Sequence, residues 1–388
     1  MTRTAVVYTA AAESRAAGEA LGMQIAQRLQ QVRPDALIVF ISPRYDAPAL
    51  LRALETACHP RVMVGCSSAG EFTSDGPAEG QACAVAIQSS EMQFAAGIGR
   101  GLKTDRADAA RTITSAFHGV RNHTKGYSSA LVLTDALAGH ADELIEELTL
   151  MTGGNYQFFG GGAGDDANFR RTQVFCGTEA ASDAAVALEI LSTKPIGVGV
   201  RHGWRPAGKP MRVTECEGSR LISLNAMPAV EVFHQHAMAT GQPFDPKEPM
   251  PFFLHNILGI DTGQGYKLRV PLAVNEDESV SCAAEIPLGA AVCIMGTDAA
   301  SAGEAAAEAA REAMDRLHGQ KPQVALFFDC VATRLRMGKD FGLELNAVKE
   351  ALGQAAFAGC NTYGQVARAE GQFSGFHNCT AVVCVLPA

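Results

Sequence analysis

Short apolar runs alternate with segments of helical periodicity along most of this chain. Three runs of strand length, rich in β-branched and aromatic residues, lie at 35–43, 128–136 and 323–331. A helical segment follows each run. Longer helical segments precede the runs, at 12–31, 104–119 and 299–318. The last of these is rich in alanine and is followed by a glycine, a typical helix stop. The pattern predicts sheets with helices packed against them.

A glycine motif recurs after these elements. It reads VGCSSAGEF at 64–72, FGGGAGDDA at 159–167 and AGCNTYGQV at 358–366. Each copy starts with an apolar residue and a glycine, and continues with small or polar residues. Paired strands are predicted after the motifs, at 81–90 with 92–99, at 172–177 with 183–191, and at 377–386. The chain therefore reads as a repeated module of strand, helix, strand, helix, strand and hairpin.

The repeats also predict the domain organisation. Two modules fill residues 1–200 and a third fills 285–388, within a C-terminal part that spans 201–388. The segment 201–284 breaks the pattern, because it is rich in proline and glycine and contains the single tryptophan. We read this segment as a linking or inserted one. The predicted fold is α/β, with layered mixed sheets and packed helices, built by internal duplication.

Charge and composition narrow the function. The 388 residues carry a net charge of −9, with 47% hydrophobic and 19% charged residues, as in a soluble globular protein. An acidic chain argues against nucleic-acid binding. The apolar runs are too short to cross a bilayer, and the first residues do not resemble a secretory signal, so we expect a cytoplasmic protein without a membrane role. Eleven cysteines without a C-x-x-C pair indicate reduced structural thiols.

The glycine motif matches no catalytic or phosphate-binding loop. A nucleophile elbow needs G-x-S-x-G, and the second and third copies lack a serine. A phosphate loop needs G-x-x-x-x-G-K-[ST], and a dinucleotide loop needs G-x-G-x-x-G, and neither pattern is present in the three copies. The glycines then permit tight turns or close strand approach. Turns at three strand ends can also line one binding cleft.

Several motifs together resemble the FIST family. They are VGCSSAGEF, FFGGGAGDD, GVGVRHGWRP, ALFFDCVATR and AGCNTYGQV with FHNCTAVVCVL, in this order along the chain. Within the family, the chain resembles the nitric-oxide-sensing NosP subgroup. The resemblance implies a sensory signalling protein that binds haem b, responds to nitric oxide, and regulates a partner histidine kinase or cyclic-di-GMP enzyme. A homodimer is a further expectation.

Histidine is the common protein ligand of haem iron. His202 follows an apolar strand where the module pattern breaks, and His234 and His236 share a predicted helix. Their spacing of two places the last pair on different helix faces. His255 follows an apolar aromatic run. These four are the candidates for the cofactor site, and His202 and His234 are the first candidates for the iron ligand.

A polar pocket at the motif loops is the second candidate site. Its predicted residues are Cys66, Ser67, Ser68, Gly70, Gly161, Asp165, Cys330, Arg334, Asn361, Tyr363 and His377. Cys330 is either a buried thiol or a reactive thiolate that needs a cation such as Arg334 nearby. Asp165 is either a turn-capping acid or a ligand contact.

Three functions compete at this stage. A haem-based nitric oxide sensor follows from the resemblance. A sensor of another small ligand such as an amino acid, without haem, would use the glycine loops as its pocket. A cysteine-dependent hydrolase using Cys66 or Cys330 has the weakest support, because no module combines a nucleophile, a base and an orienting acid. We therefore expect a protein that is not an enzyme.

Overall fold

The computed structural model describes residues 1–77, 79–122, 126–368 and 374–388. Its first third contains two parallel strands, two helices and four further strands. They are β1 (Thr2–Thr9), α1 (Ser14–Arg28), β2 (Ala36–Ile41), α2 (Ala47–Cys58), β3 (Val62–Ser67), β4 (Glu71–Thr73), β5 (Gly76–Pro77) and β6 (Ala82–Ser89).

The second third follows the same order of elements. They are β7 (Met92–Arg100), α3 (Arg106–Ser115), α4 (His118–Asn122), β8 (Tyr127–Thr134), α5 (Ala141–Met151), β9 (Gln157–Gly162), β10 (Val174–Cys176), β11 (Glu179–Ala181) and β12 (Ala184–Ser192).

The last part contains the third copy of this order and an additional sheet. After β13 (Gly197–Arg201) come β14 (Arg205–Pro206), β15 (Met211–Glu217), β16 (Arg220–Leu224), β17 (Met227–Pro228), α6 (Ala229–Thr240), α7 (Met250–Phe253), β18 (Ile257–Asp261), β19 (Tyr266–Arg269), β20 (Pro271–Val274), β21 (Val280–Cys282) and β22 (Ala291–Gly296). The chain then continues with α8 (Ala299–Asp315), β23 (Pro322–Cys330), α9 (Val331–Met337), α10 (Phe341–Leu352), β24 (Ala356–Thr362), β25 (Gln365–Arg368), β26 (Ser374–His377) and β27 (Ala381–Pro387).

Three six-stranded sheets, built from strands of all three parts of the chain, share one strand order. The orders are β1-β6-β2-β3-β10-β11, β7-β12-β8-β9-β25-β26 and β13-β27-β23-β24-β4-β5. Each sheet contains one parallel pair of neighbouring strands: β2 with β3, β8 with β9, and β23 with β24. The last two strands come from a different repeat, so the hairpins β4–β5, β10–β11 and β25–β26 are exchanged among the three sheets. The layered mixed α/β architecture is confirmed, whereas internal duplication stays a prediction.

Each sheet is buried on both faces. In β2 the side chains alternate: Ile38 and Phe40 enter a core shared by the three sheets, and Leu37 and Val39 pack under α1 and α2. Equivalent outer clusters lie beneath α3 and α5 and beneath α8 and α10. Burial on both faces explains why the strands read as continuous apolar runs rather than alternating ones.

Two predicted pairings are corrected by the structure. The stretches 81–90 and 92–99 form β6 and β7, which lie in different sheets: β6 pairs with β1 and β2, and β7 pairs with β12. Likewise β10 pairs with β3 and β11 rather than with β12. The sequence shows strand character, but backbone hydrogen bonds choose the partner.

The segment predicted as an insertion at 201–284 forms a sheet of its own, β14 to β22, which extends to residue 296. It interrupts the third repeat after β13 and has a separate apolar core around Phe233 and Phe253. A partly buried ion-pair cluster joins it to the second repeat: the Asp142 carboxylate on α5 lies 2.5 Å from Lys267 Nζ and 2.6 Å from Arg269 Nη2. Among the described residues, no helix has the length and apolarity that a membrane span requires.

Candidate functional site

The three glycine motifs meet at the centre of the molecule. The amide of Ala69 donates to the carbonyl of Asn361 at 2.9 Å, that of Gly164 to Ser67 at 2.9 Å, and that of Tyr363 to Gly162 at 3.0 Å. Each motif is thus bonded to the next, in a closed ring. The loops are buried, because these bonds and the exchanged hairpins close the shared core.

The first glycine of each motif has a structural role. A Cβ atom at Gly65, Gly160 or Gly359 would lie 2.0, 2.1 or 1.7 Å from the carbonyl oxygen of the neighbouring parallel strand. Such contacts are far below van der Waals distance, so the three positions admit no side chain. This explains the repeated glycine as close strand approach.

The sixth residue after the first apolar residue of each motif is Gly70, Asp165 or Gly364. Gly70 and Gly364 have φ of +133° and +138°, where a side chain is strained, and there the chain turns into β4 and β25. The second motif has Asp165 at this position. Its Oδ1 accepts the Tyr363 hydroxyl and the amide of Phe169, and its Oδ2 accepts the amides of Arg170 and Arg171. Asp165 therefore caps and shapes the loop that follows β9.

That loop forms one wall of a cleft of about 610 Å³. The opposite wall is the carboxyl end of β2 and the start of α2, and the floor includes the end of β3. Ligands of open α/β sheets bind at this end of parallel strands. The polar residues of the lining are Ser42, Asp46, Ser67, Asp165, Asn168, Arg170, Arg171 and Gln173.

Two arginines supply the positive charge of the cleft, whose lining also contains Asp46 and Asp165. The side chains of Arg170 and Arg171 are exposed, and within the described part of the chain neither guanidinium has a hydrogen bond or an ion pair. Asp46 uses Oδ1 to accept the Ala49 amide at the start of α2. Among the residues that the structure describes, the cleft therefore presents two free cations beside a carboxylate that has one engaged oxygen.

The cleft wall is joined to the motif ring by short polar contacts. Ser67 Oγ accepts the Gln173 amide at 3.0 Å, and Ser42 donates to Asp166 at 3.2 Å. Burial raises the pKa of Asp166, against the effects of Ser42 and Arg334. Burial also raises the pKa of Glu71 to about 7, although the Ser68 hydroxyl donates to it.

Of the eleven predicted pocket residues, Ser67 and Asp165 line the cleft. Cys66, Ser68, Gly161 and Asn361 lie in the sealed centre, and Asn361 donates to Asp329 at 3.3 Å. Gly70 lies against the guanidinium of Arg334, whose side chain is 16% exposed and lies 3.5 Å from Glu79. Tyr363 contributes through Asp165, and its ring stacks on Phe169 at 4.4 Å.

The two remaining pocket candidates lie elsewhere. Cys330 ends β23, on the side of the third repeat that faces the inserted sheet, in one apolar cluster with Trp204 and Cys379. His377 is 2% exposed, and burial followed by the charges of Lys267 and Arg269 lowers its pKa far below the usual range. Neither residue borders the cleft.

The four histidines proposed for haem have different surroundings. His202 places Nε2 3.1 Å from the Tyr266 carbonyl and accepts the Trp204 amide on Nδ1 at 3.3 Å, so both ring nitrogens are engaged. His234 is half exposed beside Glu231, at 3.9 Å. His236 packs edge-on against Phe252.

Burial lowers the pKa values of His202, His236 and His255. None of the four candidates lines the 610 Å³ cleft. Within the described residues, no group of three or more His, Cys, Asp or Glu side chains could hold a metal ion. Haem iron takes only one or two ligands from the protein, so this result does not test haem, and haem binding stays a prediction.

Sequence reasoning missed Ser42, Arg170 and Arg171. Ser42 follows the apolar run of β2 directly, which is a usable signal for a strand-end site. The arginines stand in the run FRRT, eight residues after β9, where nothing in the spacing indicates that they meet α2. Their position depends on Asp165, which folds the loop back.

Comparison with known proteins places the chain. The FIST N domain model matches residues 35–227 and the FIST C domain model matches residues 229–368. No curated protein matches the chain. The crystal structure of a cyanuric acid hydrolase from A. caulinodans is similar over 100% of this chain and 99% of that one, at 8% identity and a TM-score of 0.33, which is too low to support an argument. Because the two domain models together cover most of its length, the chain belongs to the FIST family, whose domains are sensory domains for small ligands.

Proposed function

We propose that this protein senses a small carboxylate, with amino acids as the best-fitting class, and binds it in the cleft between α2 and the loop after β9. The observation that carries the proposal is a pair of arginines at the 610 Å³ cleft whose guanidinium groups have no partner among the described residues. The cleft volume falls within the range of small-molecule sites, roughly 300–1,000 Å³.

The lining suits a zwitterion. A guanidinium binds a carboxylate through two parallel hydrogen bonds, and Arg170 and Arg171 supply two such groups. The Asp46 oxygen that does not cap α2 is available to an ammonium group. Hydroxyls of Ser42 and Ser67 complete a polar lining. Asp165, with its oxygens already bonded, serves to hold the arginine loop in place.

The geometry also suits signalling. One wall of the cleft belongs to the first repeat and the other to the second, so a ligand that contacts both favours the arrangement in which they are close. Contacts from Ser67 to Gln173 and from Tyr363 to Asp165 link this loop to the central ring. The regulated partner, a histidine kinase or a cyclic-di-GMP enzyme, stays a prediction, as do a homodimer and a cytoplasmic location.

Thermal stabilisation by ligands tests the proposal. Purified protein is screened by scanning fluorimetry against amino acids and simple mono- and dicarboxylates, because a ligand that binds the folded state raises the melting temperature. We expect at least one compound to stabilise the wild type. Hydrogen bonds to charged groups contribute about 1.5–3 kcal/mol, so the variant Arg170→Ala/Arg171→Ala should bind that compound at least about tenfold more weakly.

The matched control is Arg52→Ala, an exposed arginine on α2 that does not line the cleft. It should bind like the wild type. Equal binding by the double variant, or a panel without any stabilising compound, would remove the proposal. The absorption spectrum after adding haem and then nitric oxide provides the competing test. A saturable Soret band that moves with nitric oxide would favour the haem sensor instead.

A further inference from the structure

Two buried thiols from distant parts of the sequence lie together beside the inserted sheet. Cys330 is the last residue of β23, and Cys379 lies two residues before β27. They are 2% and 5% exposed and share one apolar cluster with Trp204. β23 and β27 are antiparallel, with Phe328 opposite Val382, so the end of β23 lies beside the residues that precede β27. Cys379 has φ of +49°, a conformation that non-glycine residues rarely adopt.

The surroundings of Cys330 stabilise a thiolate. The groups next to its sulfur are the Cys379 thiol, the amides of Cys379 and Ala332, and the side chain of Gln365. The Cys379 thiol is the largest cause, and together these groups lower the pKa of Cys330 to about 7 although burial opposes them. A thiolate is the nucleophilic and oxidisable form of cysteine.

A small cavity lies against Cys379. It has a volume of about 10 Å³, and Cys379 is part of its wall. A space of this size holds about one water molecule. Its lining also includes Arg201, His202 and Arg336, which are neither fully buried nor fully exposed. The cavity therefore offers a small polar oxidant a position beside Cys379.

A second pair of thiols lacks these features and serves as an internal comparison. Cys66 and Cys360 are also neighbours in one apolar cluster. Both are fully buried in the core shared by the three sheets. Burial, followed by the contact with Cys66, raises the pKa of Cys360 well above its ordinary value. Proximity is thus common to the two pairs, whereas a lowered pKa is found at Cys330 and a neighbouring cavity at Cys379.

We propose that Cys330 and Cys379 form a reversible disulfide on reaction with a hydroperoxide such as hydrogen peroxide. The Cys330 thiolate attacks one peroxide oxygen, the O–O bond breaks, and the released hydroxide takes a proton to become water. The resulting Cys330 sulfenic acid is attacked by Cys379 sulfur as its thiol proton leaves. The S–S bond forms, the S–O bond breaks, and hydroxide departs with that proton as a second water. Two thiols lose two electrons, and one peroxide gains them.

Disulfide mapping of the oxidised wild type tests this directly. Reduced protein is freed of reductant, treated with hydrogen peroxide at neutral pH, alkylated, and digested with trypsin without reduction. We expect a cross-link between peptides 317–334 and 369–388, assigned to Cys379 rather than Cys384 by fragmentation and reversed by dithiothreitol. The comparison pair would instead join peptides 62–100 and 350–368.

Variants separate the two steps. Cys379→Ser leaves the peroxide-reactive thiol but no second thiol, so a dimedone-type probe should label a sulfenic acid at Cys330. Cys330→Ser should abolish both the label and the cross-link. Cys384→Ser, a fully buried residue of the same peptide, should leave the cross-link unchanged. A wild type that forms no 317–334 to 369–388 cross-link, or that cross-links the comparison pair to the same extent, would overturn the proposal.

Discussion

Replacing Gly359 by alanine tests the close approach of strands at the centre of the fold. Gly359 lies in β24, in register with Phe327 of β23 and with Phe72 of β4. The added Cβ would lie 1.7 Å from the Phe327 carbonyl oxygen and 2.7 Å from Cε2 of Phe72. An ordinary contact of this kind begins at 3.4 Å, so backbone and ring must both move.

The size of the effect follows from this missing space. Overpacking a core costs about 1–3 kcal/mol, and each backbone hydrogen bond lost as β23 and β24 separate costs about 1 kcal/mol more. We therefore expect Gly359→Ala to lower the free energy of unfolding by about 3 kcal/mol or more. The equivalent changes at Gly65 and Gly160 should act in the same direction, since the same carbonyl contact occurs there.

Guanidinium denaturation followed by far-UV circular dichroism measures the effect. The matched control is Gly342→Ala in α10, where an added Cβ meets no atom within 4 Å. Alanine is the better helix former there by up to about 1 kcal/mol, so the control should be as stable as the wild type or more so. A denaturation midpoint of Gly359→Ala at or above that of the wild type would refute the argument from strand approach.

Three further predictions concern buried polar groups. Asp142→Ala removes the carboxylate partner of Arg269, whose side chain is 2% exposed. The variant should be less stable by about 3–5 kcal/mol. A change below about 1 kcal/mol in denaturant unfolding would contradict this expectation. Burial raises the pKa of Glu344 to about 8, so stability should fall as pH rises from about 4.5 toward 8. Glu344→Gln should remove at least about 1.4 kcal/mol of that fall, and an unchanged pH profile would count against it. Tyr363→Phe keeps the ring but removes the hydroxyl that donates to Asp165, so trypsin should cleave after Arg170 faster than in the wild type; equal cleavage rates would show that this bond does not hold the loop.

Much of the secondary structure could be predicted from the sequence. The three longer helical segments correspond to α1, α3 and α8, and the three apolar runs correspond to β2, β8 and β23. These elements can be predicted because both faces of each strand are buried and each helix has one apolar face. The resulting pattern of apolar residues is visible in the sequence. The family resemblance, carried by motifs at the strand ends, is confirmed by the two domain models.

The residues of the cleft could be predicted only in part from the sequence. The motifs predict Ser67 and Asp165 as site residues, and both line the cleft. They do not predict Arg170 and Arg171, which line it as well. A strand end is marked in the sequence by a change from apolar to polar residues. The return of the arginine loop toward α2 depends on four donors converging on one carboxylate, which leaves no spacing signal in the chain.

The sequence by itself determined which segments of the three repeated modules are strands and helices, and the family to which the chain belongs. That the first glycine of each motif excludes a side chain was decided by the structure. Only the tertiary structure decided which strands pair, because exchanged hairpins are held by backbone hydrogen bonds that are the same for every residue type. Tertiary structure also decided that Ser42, Ser67 and Arg171 share a cleft, and that Cys330 meets Cys379. Residues so far apart in the chain become neighbours through the packing of three sheets around one core.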